Sequence, residues 1–129
     1  MIILLARALA MQGRDEEAME RTRECEQSAP KGQRDAQVKW RAIRAVLLAR
    51  RGDLKTAEGL VGEAIARTVD WEQVDSTAEV LADQAYVLRL AGNEEAARRQ
   101  AERALAGYEH KGNLVGARRV REFLKHPVR

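Results

Sequence analysis

The sequence predicts an all-α fold, a solenoid of about three antiparallel helix pairs closed by a capping helix, and three observations carry that prediction. The 129 residues are 45% hydrophobic and 33% charged but only 4% aromatic, an Ala-, Leu-, Glu- and Arg-rich mixture that favours helix. Only two prolines occur, Pro30 and Pro127, so between them nothing but glycine forces a helix to end. Third, the chain repeats itself: Gly13-Arg14-Asp15-Glu16-Glu17-Ala18, Gly52-Asp53-Leu54-Lys55-Thr56-Ala57 and Gly92-Asn93-Glu94-Glu95-Ala96-Ala97 follow one another at spacings of 39 and 40 residues.

Five columns align on these glycines. Seven residues before each stand Ala6, Ala45 and Ala85, and four before stand Leu9, Leu48 and Leu88. Five after stand Ala18, Ala57 and Ala97, and twelve after stand Cys25, Ala64 and Ala104. A glycine can take the left-handed conformation that ends one helix, and Asp53 or Asn93 after it can cap the next. Small residues at fixed places let antiparallel helices approach closely, with the leucine filling the gap between them.

In chain order the predicted helices are 2–12, 15–28, 34–51, 54–69, 73–91, 94–109 and 113–125. The first runs from the apolar Ile2-Ile3-Leu4-Leu5 to the turn at Gly13, and the second opens on Glu16 and Glu17, which suit the positive end of a helix dipole. After the polar linker Ser28 to Gln33, the third is apolar on two sides through Ile43 and Leu47, as expected of a helix packed on both flanks. The fourth carries Leu54, Ala57, Val61, Ala64 and Ile65 at steps of three and four. The fifth carries Val74, Ala78, Leu81, Ala85 and Leu88 with a second face at Val80 and Val87, and the sixth Ala97, Ala101, Ala104, Leu105 and Tyr108. In the seventh, Leu114, Ala117, Val120 and Leu124 oppose a face of arginines, as a polar cap would. Trp40 and Trp71, near the starts of the third and fifth helices, are expected to pack between neighbouring pairs. The 129 residues read as a single domain with repeats at about 1–30, 34–69 and 73–109 and a capping helix at 113–125.

Helix, glycine turn and helix with small residues at these offsets resemble the tetratricopeptide (TPR) repeat over nearly the whole chain. The period exceeds the family's usual length, its tryptophan and tyrosine columns are largely absent, and its proline after the second helix survives only as Pro30. The run Leu88-Arg89-Leu90-Ala91-Gly92, followed by Ala104 to Asn113, further resembles the C-terminal TPR region of large bacterial ATPase-containing signalling regulators.

The resemblance implies a protein-interaction module in which the first helix of each pair lines a concave groove. Counted from the glycines, the implied groove positions are Arg7 and Ala10; Lys39, Ala42, Val46 and Ala49 with neighbouring Arg50; and Glu79, Ala82, Tyr86 and Arg89. A charge reversal at Arg89 is expected to abolish partner capture without altering melting. Members that clamp a chaperone's terminal carboxylate carry asparagine where this chain has Arg7, Val46 and Tyr86, so that specificity is not expected.

Catalysis is not expected. His110 and His126 stand in no metal-ligand spacing, no glycine-rich phosphate loop occurs, and Cys25 fills a column of alanines and reads as a small buried hydrophobe. No catalytic residue, cofactor or metal is expected. The net charge of +3 is mostly interspersed, becoming one-signed only near Arg118, Arg119 and Arg121. Those arginines offer nucleic-acid binding as the alternative to a protein or peptide partner, though no stacking aromatics accompany them.

The single cysteine fits a reducing compartment, and the opening apolar run falls short of the ~20 residues a membrane span requires, so a cytoplasmic protein without membrane attachment is expected. Four consecutive apolar residues, Ile2, Ile3, Leu4 and Leu5, cannot all face one neighbour on a helix. They are therefore expected to form the edge of a weak homodimer.

Overall fold

A computed structural model describes residues 2–30, 32–69 and 74–126, and among these the chain is entirely helix and turn. Trp71, Pro127 and Arg129, and the side chain of Val74, lie outside the described residues. The helices are α1 (Ile2–Met11), α2 (Asp15–Ser28), α3 (Arg34–Arg50), α4 (Leu54–Ala66), α5 (Val74–Leu90), α6 (Glu94–Lys111) and α7 (Leu114–Lys125). No described helix is long and apolar enough to cross a membrane.

Four turns are built alike. Gly13, Gly52, Gly92 and Gly112 have φ between 73° and 89°, and the residue after each donates its backbone N–H to a carbonyl five residues back. The acceptors are Leu9, Leu48, Leu88 and Tyr108, so the leucine column also supplies the carbonyl that closes the turn. The fourth turn, at Gly112, reproduces the repeat's junction between α6 and α7, with Ala117 buried five residues on. Side-chain capping is less uniform than the sequence suggests. Asn93 and Asn113 accept from the N–H groups of Ala96 and Gly116, whereas Asp53 makes no such bond.

Helix ends shift by a few residues where local chemistry differs from the pattern. Helix α4 stops at Ala66 because the Thr68 hydroxyl donates to the Ile65 carbonyl at 2.6 Å and diverts the backbone into a turn. Helix α6 runs on to Lys111, where Gly112 ends it in the left-handed conformation.

Each of α1, α3 and α5 packs on the helix that follows it; α3 also contacts α1 and α5, α2 packs on α3, α4 on α5, and α7 on α6. The alanine columns sit at these crossings. Ala6, Ala18, Ala45, Ala57, Ala64, Ala85, Ala97 and Ala104 are all buried, as is Cys25, whose thiol burial pushes up from its ordinary pKa. Trp40 of α3 is buried, its indole N–H donating to the Gln37 side chain at 3.3 Å. Arg41 and Arg44 lie over its ring at 4.4 and 4.5 Å, Arg44 pairing with Glu26 of α2 and Arg41 with Glu63 of α4.

Candidate functional site

Residues of α1, α3, α5, α6 and α7 line a cleft of about 250 Å³. Seven of the eleven groove residues expected from the sequence line it: Arg7, Ala10, Val46, Arg50, Glu79, Ala82 and Tyr86. Its walls are mixed, with Met11, Val46 and Phe123 supplying apolar surface.

Arg7 makes the ion pair of widest sequence separation among the described residues. From α1 it reaches both carboxylate oxygens of Asp83 on α5 at 2.8 and 2.7 Å, and Glu79 at 3.1 Å. Of the α3 residues expected in the groove, Val46 lines the cleft, whereas Ala42 and Ala49 are buried in the core against α4 and α5. Burial works to lower the Arg7 pKa, but Asp83 and Glu79 outweigh it and hold the group charged.

Arg50 forms a second crossing. Its Nη1 donates to the Ala10 carbonyl at 2.9 Å and to Asp15 at 2.8 Å, and its Nε donates to the Tyr86 hydroxyl at 3.1 Å. One residue therefore ties the end of α1, the start of α2 and the middle of α5 to the end of α3.

Two of the charged residues expected in the groove also stand elsewhere. Lys39 lies outside the cleft lining and pairs with Asp35 one turn away at 3.3 Å. Arg89 corrects the expectation of a free groove cation: only 7% exposed, it makes a two-pronged pair with Glu94 and donates to the carbonyls of Phe123 and His126 at 2.7 and 2.9 Å. Its guanidinium also lies 3.5 Å from the centre of the Phe123 ring. This side chain satisfies the carbonyl end of α7, so the expectation that its reversal leaves melting unchanged does not hold.

Sequence reasoning passed over Tyr108 and Arg119 as cleft residues. Tyr108, on α6, is buried with its ring against α7, where a Cβ placed on Gly116 would come within 2.6 Å of it. Burial, reinforced by the negative charge of Glu79 and Asp83, pushes its hydroxyl well above the ordinary tyrosine pKa, which keeps it protonated. Arg119 projects from the exposed side of α7 into the same cleft, and among the described residues it meets no ion-pair partner. The Gly112-Asn113 turn with Ala117 five residues on was the sequence signal that α7 continues the packed array.

The dimer edge divides. Ile2 and Ile3 are half-buried, Ile3 against the cluster of Ala6, Leu9 and Ile43, while Leu4 and Leu5 are 56% and 48% exposed. A second, larger hollow of about 600 Å³ lies beside Ile2, Ile3, Cys25 and Pro30, at the opposite end of α1 from its glycine turn. The basic stripe of α7 is partly neutralised, because Arg121 pairs with Glu109 at 2.5 Å. Among the described residues no group of three or more His, Cys, Asp or Glu side chains could hold a metal ion.

Comparison with models of protein families, with curated proteins and with solved structures finds no match for this chain.

Proposed function

We propose that the seven helices form a TPR-like solenoid of three helical hairpins capped by α7, and that its concave cleft captures a segment of another polypeptide. The order of packing supports the solenoid, since each hairpin's first helix meets its own second helix and the first helix of the next hairpin. The observation that carries the function is the cleft itself. It gathers residues from α1 to α7 into one concave surface, with Arg7 and Arg50 fixing its shape from within. Part of its apolar lining is open to solvent: Met11, at the end of α1, is 53% exposed. Exposed apolar side chains around a cleft that is already shaped are what a bound peptide would cover.

This reading makes the chain a non-catalytic adaptor, and the likeness of its last repeat to bacterial signalling regulators makes such assemblies the first place to seek the partner. Nucleic-acid binding through Arg118, Arg119 and Arg121 draws less support, because one of the three already has a carboxylate partner.

Selection of displayed random 12-residue peptides on the full chain tests the proposal. Peptides are expected to be enriched whose binding is lost in Met11→Asp, a variant at an exposed position that leaves thermal melting unchanged. Enriched peptides that bind Met11→Asp as well as the parent would place recognition on another surface.

A further inference from the structure

Three guanidinium groups and two carboxylates line the cleft, leaving it one positive charge in excess. The charges are not equivalent. Arg7 is held by Asp83 and Glu79, and Arg50 by Asp15, the Ala10 carbonyl and the Tyr86 hydroxyl. Arg119 alone of the three has no acidic partner among the described residues, although Glu109 and Glu122 lie in the neighbouring stretches of chain and pair instead with Arg121, Lys125 and His126. The Tyr108 hydroxyl faces the same space, remains a proton donor, and has no hydrogen-bond acceptor among the described residues. An unpaired cation and an unused donor thus converge on one cleft.

Their surroundings say what else the ligand carries. On α7, Val115, Arg119 and Phe123 follow one another at four-residue steps, so the cation stands between two apolar side chains along one ridge. Phe123 is stacked on its far side by Arg89, which fixes the ring, and Val115 stands open. A complementary segment has the opposite order of chemistry, apolar, acidic, apolar.

We infer that the cleft selects a peptide segment in which one acidic side chain lies between two apolar residues, its carboxylate accepting hydrogen bonds from Arg119 and from the Tyr108 hydroxyl. This rests on the peptide-binding reading of the cleft and narrows it to one class of partner. The carboxylate belongs to an internal side chain, because apolar surface continues along α7 on both sides of Arg119 and a chain terminus would leave one side uncovered. Charged hydrogen bonds of this kind are charge-assisted and directional.

The test uses the full chain and the peptides enriched in the displayed selection, resynthesised with amidated C-termini and measured by fluorescence anisotropy. The expected consensus has an acidic residue flanked by apolar ones. Arg119→Gln should weaken binding about 10- to 100-fold, and Tyr108→Phe about 3- to 10-fold, with thermal melting unchanged for Arg119→Gln. Replacing the peptide's acid by its amide should cost as much as Arg119→Gln does, and the two changes together should cost no more than either alone. Peptides that bind in a Met11-dependent way but are neutral or basic, or are indifferent to Arg119→Gln, would overturn this inference while leaving the peptide cleft in place. Affinity that vanishes on C-terminal amidation would overturn it in favour of a terminal carboxylate. If no Met11-dependent peptide is enriched, both this inference and the peptide cleft fall.

Discussion

Arg7 and Arg89 both stand on first helices of hairpins, yet they hold opposite ends of the molecule by different chemistry. Arg7 crosses the cleft to two carboxylates, Asp83 and Glu79. Arg89 serves one carboxylate, Glu94, and two backbone carbonyls at the end of α7. A side-chain pair can in principle be exchanged for apolar side chains, because both charges leave together. The last carbonyls of a helix cannot be removed, so a donor has to be supplied to them whatever else changes. The comparison teaches that the Arg7 crossing joins α1 to α5 and is replaceable, whereas Arg89 completes a helix end and is not.

The largest effect is expected where that contrast is broken outright. Arg89→Glu sets a buried acid against Glu94, removes the side-chain donor of the His126 carbonyl and leaves the Phe123 carbonyl only the 3.4 Å bond from the His126 N–H, and should destabilise by ~3–5 kcal/mol in chemical denaturation. Hydrogen exchange should show α7 opening before the rest. Stability within about 1 kcal/mol of the parent would show that solvent reaches those carbonyls and that the contrast is false.

Asp83→Ala removes the principal partner of Arg7 and should cost ~2–3 kcal/mol, somewhat less than a fully buried pair because the guanidinium keeps Glu79. The sharper measurement pairs two double variants. Arg7→Met with Asp83→Leu should recover most of that loss, while Arg89→Met with Glu94→Leu should stay ~2 kcal/mol or more below the parent, the stranded carbonyls accounting for the difference. Equal recovery in both would erase the distinction.

Overpacking variants separate α7 from the remainder. Gly116→Ala drives a methyl into the Tyr108 ring and should cost ~1–3 kcal/mol, with exchange rising in α7 alone. Ala64→Leu, at the fully buried contact with Val38, Ala42 and Val80, should cost a similar ~1–3 kcal/mol but open α3, α4 and α5 together. Identical exchange patterns in the two variants would mean that α7 is no separate unit.

The smallest effect concerns self-association through α1. Leu4 and Leu5 are exposed and no acid follows them on the helix, so weak dimerisation at micromolar concentration is expected to disappear in Leu4→Lys without loss of stability. Light scattering decides it: a strict monomer for both parent and variant would remove the homodimer from consideration.

The helices, their turns and the alanine crossings were legible because each depends on residues near one another in the chain. A glycine with positive φ ends a helix wherever it stands, and a buried alanine five residues later marks where the next one crosses, so Gly13, Gly52 and Gly92 announced the hairpins. The same rule applied at Gly112 and Ala117, where α7 was read as a polar cap on the stack although its turn repeats the hairpin geometry. Part of the cleft was legible too, since Arg7, Ala10, Val46, Arg50, Glu79, Ala82 and Tyr86 stand at groove positions that the resemblance implies.

What counting could not decide is which charges are already used. Arg7 and Asp83 are 76 residues apart and Arg89 and Phe123 are 34 apart, and nothing in either local pattern records the other. Arg89 occupies the column held by Ala10 and Ala49 in the earlier repeats; those alanines are buried, whereas at Arg89 the end of α7 arrives instead and its carbonyls require a donor. Arg119 read as one of several surface arginines until the approach of α7 to α6 carried it and Tyr108 to the same cleft. The sequence by itself determined the helices and the places where they touch, because propensity, turn conformation and side-chain size act locally. Only the tertiary structure decided which arginines of the cleft are paired and that Arg119 meets no acid among the described residues, because ion pairing depends on distances that the folded chain sets between residues far apart in sequence.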